Sequence, residues 1–273
     1  MPTQSPFAPS RPRGNAARAS PTVTVAVVDP AALPDVATAA EGDPRVIEVI
    51  PVRGVECLTS ARGTVVVLCA AGVLPAAGGL SRLVGPLSDH PHLGAVGGLV
   101  IPAGPPATLA ERLDGARLRL RHLVAREDPR LEGLVAVRTR AITGSEISTV
   151  ALEHAARAKG LGLRYLDGPP VGTADPPTGL RDLLARRRAA AAGRRDARRL
   201  GYVPATGRPA AVAAATVRLV ADRPGLLGPL ILLSAVEAVA TLWRWPASTP
   251  GSPRSTADLS TSSSRHGTGS PAS

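Results

Sequence analysis

The stretch Thr64–Ile101, TVVVLCAAGVLPAAGGLSRLVGPLSDHPHLGAVGGLVI, decides the fold class. Thr64 to Leu68 is a β-branched apolar run without alternation, the pattern of a strand covered on both faces. Ala70 to Gly79 supplies glycine, proline and small residues for a turn. Leu80, Leu83, Val84 and Leu87 then recur at helical spacing, Pro91 closes that helix, and Ala95 to Ile101 is a second apolar strand. The order is β-α-β with a loop at the carboxyl end of the first strand. Open α/β sheets bind ligands at such loops, so chemistry is expected there.

Upstream, Thr22–Val28 (TVTVAVV) is a strand closed by Asp29 and Pro30, followed by an Ala-rich helix over 31–40 and a further strand over Val46–Val52. Strands alternating with helices predict an α/β fold with a doubly wound, mostly parallel sheet. Downstream, Leu109–Val124 reads as a helix with Leu113, Leu120 and Val124 on one stripe and Arg112, Arg117, Arg119 and Arg121 on a basic face, the usual pattern of a solvated surface. A strand over Leu131–Thr139, a helix over Ser148–Lys159, a short strand over Leu163–Leu166 and a loop over Gly168–Pro177 complete the domain.

From Thr178 to Leu200 a helical pattern carries eight arginines against two aspartates. Anionic lipid head groups, a pyrophosphate or plain solvent are the three partners such a run can have. Pro209–Val220 contains Arg218 and fits an interfacial helix. Gly225–Trp243 holds a single charge, Glu237, and ends at Trp243 and Trp245; it reads as a membrane helix or, alternatively, as a buried core helix with Glu237 at its polar edge. The domain organisation expected is a disordered tail over 1–20, an α/β domain over 21–205, interfacial and transmembrane helices over 206–245, and a Ser/Thr/Pro/Gly tail over 246–273. Basic residues ahead of the span place the domain on the cytoplasmic side of the cell membrane.

The net charge of +11 rests on arginine, with Lys159 the only lysine. Aromatics make up 2% of the 273 residues, too few for base-stacking platforms, which argues against nucleic acid as a partner; phosphate contacts from the Arg181–Arg199 helix are what would be left to it. Cys57 and Cys69 lack a CxxC spacing and read as buried free thiols. His90 and His92 flank Pro91 in a turn that offers two nitrogens but no third ligand nearby, and no metal site is assigned to them.

With this order of elements, the residues 22–243 resemble a family 2 glycosyltransferase of the membrane-associated synthase type, with a GT-A fold. The resemblance lies in VVVLCAAGVLPAAGGLSRLV, in HPHLGAVGGLVIP, in PPTGLRDLLARRRAAAAG, which is similar to the family's Pro-Thr-x-Leu segment and Gln-x-x-Arg-Trp motif, and in ALEHAARAKGLGLRYLDGPPV. It implies a nucleotide-sugar ligand, a divalent cation held by an Asp-x-Asp motif, and a carboxylate base for the acceptor hydroxyl. The sequence departs from that pattern. Cys69, Ala70 and Ala71 stand where the aspartates belong, and hard cations need oxygen ligands that these residues lack. Of Gln-x-x-Arg-Trp, on Ala185 to Ala189, the arginine Arg188 is kept; the Asp-Asp-Gly-Ser element is replaced by VIPVR over Val49–Arg53.

The candidate site residues implied are Glu146 as catalytic base, with helix capping as its alternative; Arg188 near the diphosphate; and Asp29 near the nucleotide, with turn formation before Pro30 as its alternative. Two functional readings follow. One is sugar transfer from a nucleotide-sugar to a lipid or polysaccharide acceptor. The other is an inactive scaffold at the membrane, partnered by an active glycosyltransferase. The lost carboxylates favour the second.

Overall fold

A computed structural model describes residues 20–52, 56–129, 131–142, 149–199, 201 and 208–242. Its centre is a six-stranded sheet built from β1 (Val23–Val27), β2 (Val46–Pro51), β3 (Val65–Cys69), β5 (Leu93–Gly98), β7 (Leu134–Arg138) and β8 (Gly162–Leu166), in the order β2-β1-β3-β7-β5-β8. A smaller sheet has the order β4-β9-β6, from β4 (Val73–Pro75), β6 (Val100–Pro102) and β9 (Gly172–Ala174). The central sheet is mostly parallel, but β7 runs antiparallel to both β3 and β5 and separates them. The expected doubly wound sheet is therefore mixed: the chain returns from β6 along α4 (Leu109–Glu127) and enters the sheet in the opposite sense.

The apolar runs are continuous because both faces of the sheet are covered. Val23, Val25, Val27, Val65, Val67 and Cys69 join one core cluster with Val36 and Ala40 of α1 (Leu33–Ala40) and Leu80, Leu83, Val84 and Leu87 of α3 (Gly79–Asp89). Ala26, Val66, Leu68, Ala95, Val135 and Val137 join a second with Leu58 of α2 (Glu56–Thr59) and Leu152 and Ala156 of α5 (Thr149–Ala158). All residues of β1, β3 and β5 are buried, as a strand sandwiched between helices requires. Gly79 is forced by packing: a Cβ there would stand 2.0 Å from the Val171 carbonyl oxygen.

The expected turn over Ala70–Gly79 contains β4, the loop over Gly168–Pro177 contains β9, and the strand expected over Ala95–Ile101 is two strands in different sheets. Three-residue strands carry too few side chains for a period to register, and their pairing is fixed by distant chain. The His-Pro-His turn is gripped through its backbone. Arg138 donates to the carbonyls of Leu93 (2.8 Å), His90 and Leu87, and Arg140 to that of Pro91 (2.7 Å).

After β9, α6 (Leu180–Arg199), α7 (Pro209–Asp222) and α8 (Leu227–Leu242) form a helical layer with α4. Leu113 and Ala116 of α4, Leu183 of α6, Leu219 of α7 and Leu230 and Leu233 of α8 make its core. The described residues up to Thr241 form one compact unit, so α7 and all but the last residue of α8 belong with the sheet. The window Pro224–Thr241 has a mean hydropathy of 1.6, long and apolar enough to cross a membrane by length and composition, and 17% of it is buried.

Candidate functional site

At the carboxyl end of β3 the chain leaves the sheet through Cys69, Ala70 and Ala71, with the Ala70 amide donating to the Gly133 carbonyl at 2.8 Å. Gly72 then turns into β4 with φ +67, a left-handed conformation that glycine adopts without strain. Ala70, Ala71, Gly72, Gly98 and Gly133 line a cleft of about 330 Å³, within the range of small-molecule sites. This small-residue floor leaves the polar work to the surrounding helices.

From α4, the face Asp114, Arg117, Leu118, Arg121, His122 and Ala125 lines the cleft at helical i, i+3, i+4 spacing. The capping box at its start, Thr108 with Glu111, fixes where the helix begins and hence this rotation. Arg117 pairs with Asp114 at 2.7 Å, and Arg121 pairs with Glu132. His122 Nδ1 and the Tyr165 hydroxyl, from β8, stand 2.9 Å apart at the same wall. Burial holds the His122 imidazole below its usual pKa, helped by the Arg126 charge and opposed by Asp167; burial likewise pushes the Tyr165 phenol up.

Helix α6 contributes Arg186 and Arg187. Arg186 donates to the Asp175 carbonyl at 2.9 Å and pairs with Asp182 at 3.0 Å, which pins it at the cleft mouth. Arg187 is 6% exposed; its Nη1 reaches Glu237 of α8 at 3.4 Å, while its Nε has no hydrogen-bond partner among the described residues. Burial, and then the neighbouring Arg117 charge, pull its guanidinium down to about 10, still cationic at neutral pH. The lining thus carries four arginines and two carboxylates, Asp114 and Glu132, while Asp182 and Glu237 hold Arg186 and Arg187 from outside it, and the buried Arg187 Nε has no hydrogen-bond partner among the described residues. Guanidinium groups so placed can receive an anion.

Of the sequence candidates, Asp29 and Arg188 are described, and neither lines the cleft. Asp29 follows β1, and its carboxylate accepts from the Ala31 amide at 3.0 Å, capping the 3-10 turn Pro30–Ala32; it does not line the cleft. Arg188 is half-buried on α6, about 100° around the helix from Arg187, and does not line the cleft either. Glu146 lies outside the described residues. Sequence reading missed Arg117, Arg121, His122 and Tyr165 as site residues, whereas Arg186 and Arg187 belong to the arginine run for which a pyrophosphate is one of the expected partners. For α4 the signal was present: Asp114, Arg117, Arg121 and His122 form a polar stripe of their own, distinct from exposed Arg112 and Arg119.

The described residues of the cleft do not suit a divalent cation. The side chains of Ala70 and Ala71 offer no ligand atom, and burial pushes the Cys69 thiol up to about 12, which keeps it protonated and a poor ligand. Asp114 and Glu132 are engaged by arginines. Among the described residues no three His, Cys, Asp or Glu side chains gather as a metal site.

No protein-family model matches the chain, and no curated protein matches its sequence. Solved structures similar to it include glucosyl-3-phosphoglycerate synthase from Mycobacterium tuberculosis in complex with Mn2+, UDP-glucose and phosphoglyceric acid, at 19% identity over 71% of this chain and 86% of that one, with a TM-score of 0.46. Mannosyl-3-phosphoglycerate synthase from Rubrobacter xylanophilus is similar at 12% identity over 67% of this chain and 76% of that one, with a TM-score of 0.42.

Proposed function

We propose that the protein is a membrane-associated, GT-A-type glycosyltransferase-like protein of the family 2 kind, whose cleft holds the diphosphate of a nucleotide-sugar with arginines in place of a divalent cation. The observation that carries this is the pairing of a donor-free floor, Ala70 and Ala71, with Arg117, Arg121, Arg186 and Arg187 on the walls of one cleft. A diphosphate needs its charge neutralised where it lies. Guanidinium groups do this by charge-assisted, often bidentate hydrogen bonds, without a hydrated ion.

Binding without transfer is the expected outcome. A metal ion assists departure of the nucleotide by taking up charge that develops on the leaving oxygen, and fixed arginines already committed to Asp114, Glu132 and Asp182 supply less of it. The protein then acts as a scaffold or partner of an active glycosyltransferase at the cytoplasmic face of the cell membrane. Should transfer occur, Glu146 is the base to test, with Arg188 and Asp29 as secondary positions.

Titration calorimetry of the detergent-purified full chain with UDP, GDP, TDP and their sugar conjugates, in manganese or in EDTA, tests this. Micromolar binding that EDTA leaves unchanged, and that Arg187→Met weakens at least tenfold, is expected. Heat that appears only with manganese, or no heat with any nucleotide, would overturn it.

A further inference from the structure

We infer that α7 and α8 form one docking surface that lies in the plane of an anionic bilayer while staying packed on the domain, instead of a helix that crosses the membrane. This rests on the membrane reading above and deepens it.

The exposed residues of α8 are Leu227, Gly228, Ile231, Leu232, Ser234, Ala235, Ala238, Val239 and Thr241, with no charge among them. Ile231 is 64% exposed, and on α7 Val217 is 70% exposed. The two hydroxyls on that face are turned back onto the helix: Ser234 donates to the Leu230 carbonyl at 2.9 Å and Thr241 to the Glu237 carbonyl at 2.7 Å. A surface that satisfies its own polar groups is suited to hydrocarbon rather than to water.

The opposite face of α8 is committed to the domain. Leu230, Leu233 and Ala240 are buried, Glu237 pairs with Arg187, and Arg195 of α6 donates to the Thr241 carbonyl at 2.7 Å. Crossing the bilayer would strip these contacts and place Glu237 in hydrocarbon, which costs about 2.5–3.5 kcal/mol for an acidic residue at the centre of a span. Lying in the interface, the helix keeps its seat and buries only its free side.

Charge complementarity identifies the occupant. Arg208 is the N-cap of α7 and lies 3.9 Å from Asp128, Arg218 on α7 pairs with Glu127, Arg223 sits at the α7–α8 turn and Arg195 stands beside the end of α8, so arginines mark both ends of the hairpin; Asp222 is the exposed carboxylate among the residues 208–242. The chain's own tails are unsuited to cover the patch: the residues 246–273 contain Leu259 as their one large aliphatic side chain, and the residues 1–19 contain Phe7 and Met1.

The test is flotation of the full chain, added to preformed vesicles of phosphatidylcholine with or without 30% phosphatidylglycerol. Single cysteines at Gly225 and Ser248, in a Cys57→Ser, Cys69→Ala background, are then probed with an impermeant maleimide. Binding to the anionic vesicles, at least fivefold weaker binding in Ile231→Glu/Leu232→Glu with an unchanged melting temperature, and labelling of both cysteines from outside are expected. Ser248→Cys labelled only after detergent would overturn the in-plane geometry while keeping the membrane reading. Equal binding to phosphatidylcholine alone would overturn the anionic partner. No flotation, with a dimer in sedimentation that Ile231→Glu/Leu232→Glu dissolves, would overturn both the geometry and the membrane reading and assign the patch to a second copy.

Discussion

The central sheet and the α7–α8 layer are built from similar residues and bury them to opposite degrees. In β1, β3 and β5 every residue is buried, because α1 and α3 cover one face and α2 and α5 the other. In α8 one stripe, Leu230, Leu233 and Ala240, is buried and Leu227, Ile231, Leu232 and Val239 are exposed. The same aliphatic side chains therefore stabilise the fold in one place and remain available to a partner in the other. Burial, not hydropathy, separates frame from surface here.

Leu83 tests the frame with the largest expected effect. It is fully buried on α3 among sheet residues, so Leu83→Ala removes its transfer free energy and leaves a cavity, and is expected to cost about 2–5 kcal/mol in denaturant unfolding. A loss below about 1 kcal/mol would mean that the α3 layer is looser than the continuous burial of β3 implies. Glu237 tests the seam between the two regions. Glu237→Gln leaves Arg187 buried beside a neutral group, and the cost expected is about 1–3 kcal/mol together with a shift in the salt dependence of unfolding. No change would show that α8 is not held through this pair.

Asp43 sharpens the comparison from the side of pH. It lies 7% exposed at the turn into β2, where its carboxylate pairs with Arg45 at 2.6 Å and accepts from Ser81 of α3 at 2.8 Å. The Arg45 side chain holds its pKa down to about 2 against an ordinary 3.8. Because the folded value is depressed, the stabilisation is present above about pH 3.8 and is lost as pH falls towards 2. Asp43→Asn is expected to cost about 1–2 kcal/mol at pH 7 and to flatten the loss of stability on acidification over that window. An unaltered acid limb in urea titrations from pH 7 to 2.5 would remove Asp43 from the account.

The parts of this fold that sequence reveals are those whose physics is local or periodic. VVVLC over Val65–Cys69 is legible because two-sided burial selects an unbroken β-branched run, and α3, α5, α6 and α7 are legible from 3.6-residue spacing and terminal Gly or Pro. The direction of β7 is not, since Leu134 to Arg138 would read the same in either sense. β4 and β9 are not, since each is three residues held extended by distant pairing, β4 by β9 and β9 by both β4 and β6. The cleft was half legible. The loop after β3 is the expected place, and the loss of carboxylates at Ala70 and Ala71 is visible, but the basic face of α4 reads whole as solvated unless the stripe that Arg117 and Arg121 share with Asp114 and His122 is separated from Arg112 and Arg119.

The smallest expected effect is the most discriminating for the helical layer. Ile231 is 64% exposed, so Ile231→Ser removes little buried area, and in detergent-free buffer its effect on unfolding is expected within ±0.5 kcal/mol. The matching change on the seated stripe, Leu233→Ser, removes a side chain 5% exposed and inserts a hydroxyl into the core shared by α4, α6, α7 and α8. Its cost should exceed that of Ile231→Ser by at least 2 kcal/mol if α8 remains seated in solution. Equal small effects would mean that α8 leaves the domain before unfolding. Equal large effects would mean that the face around Ile231 is already covered in solution, and the contrast between a two-sided frame and a one-sided layer would fail at that helix.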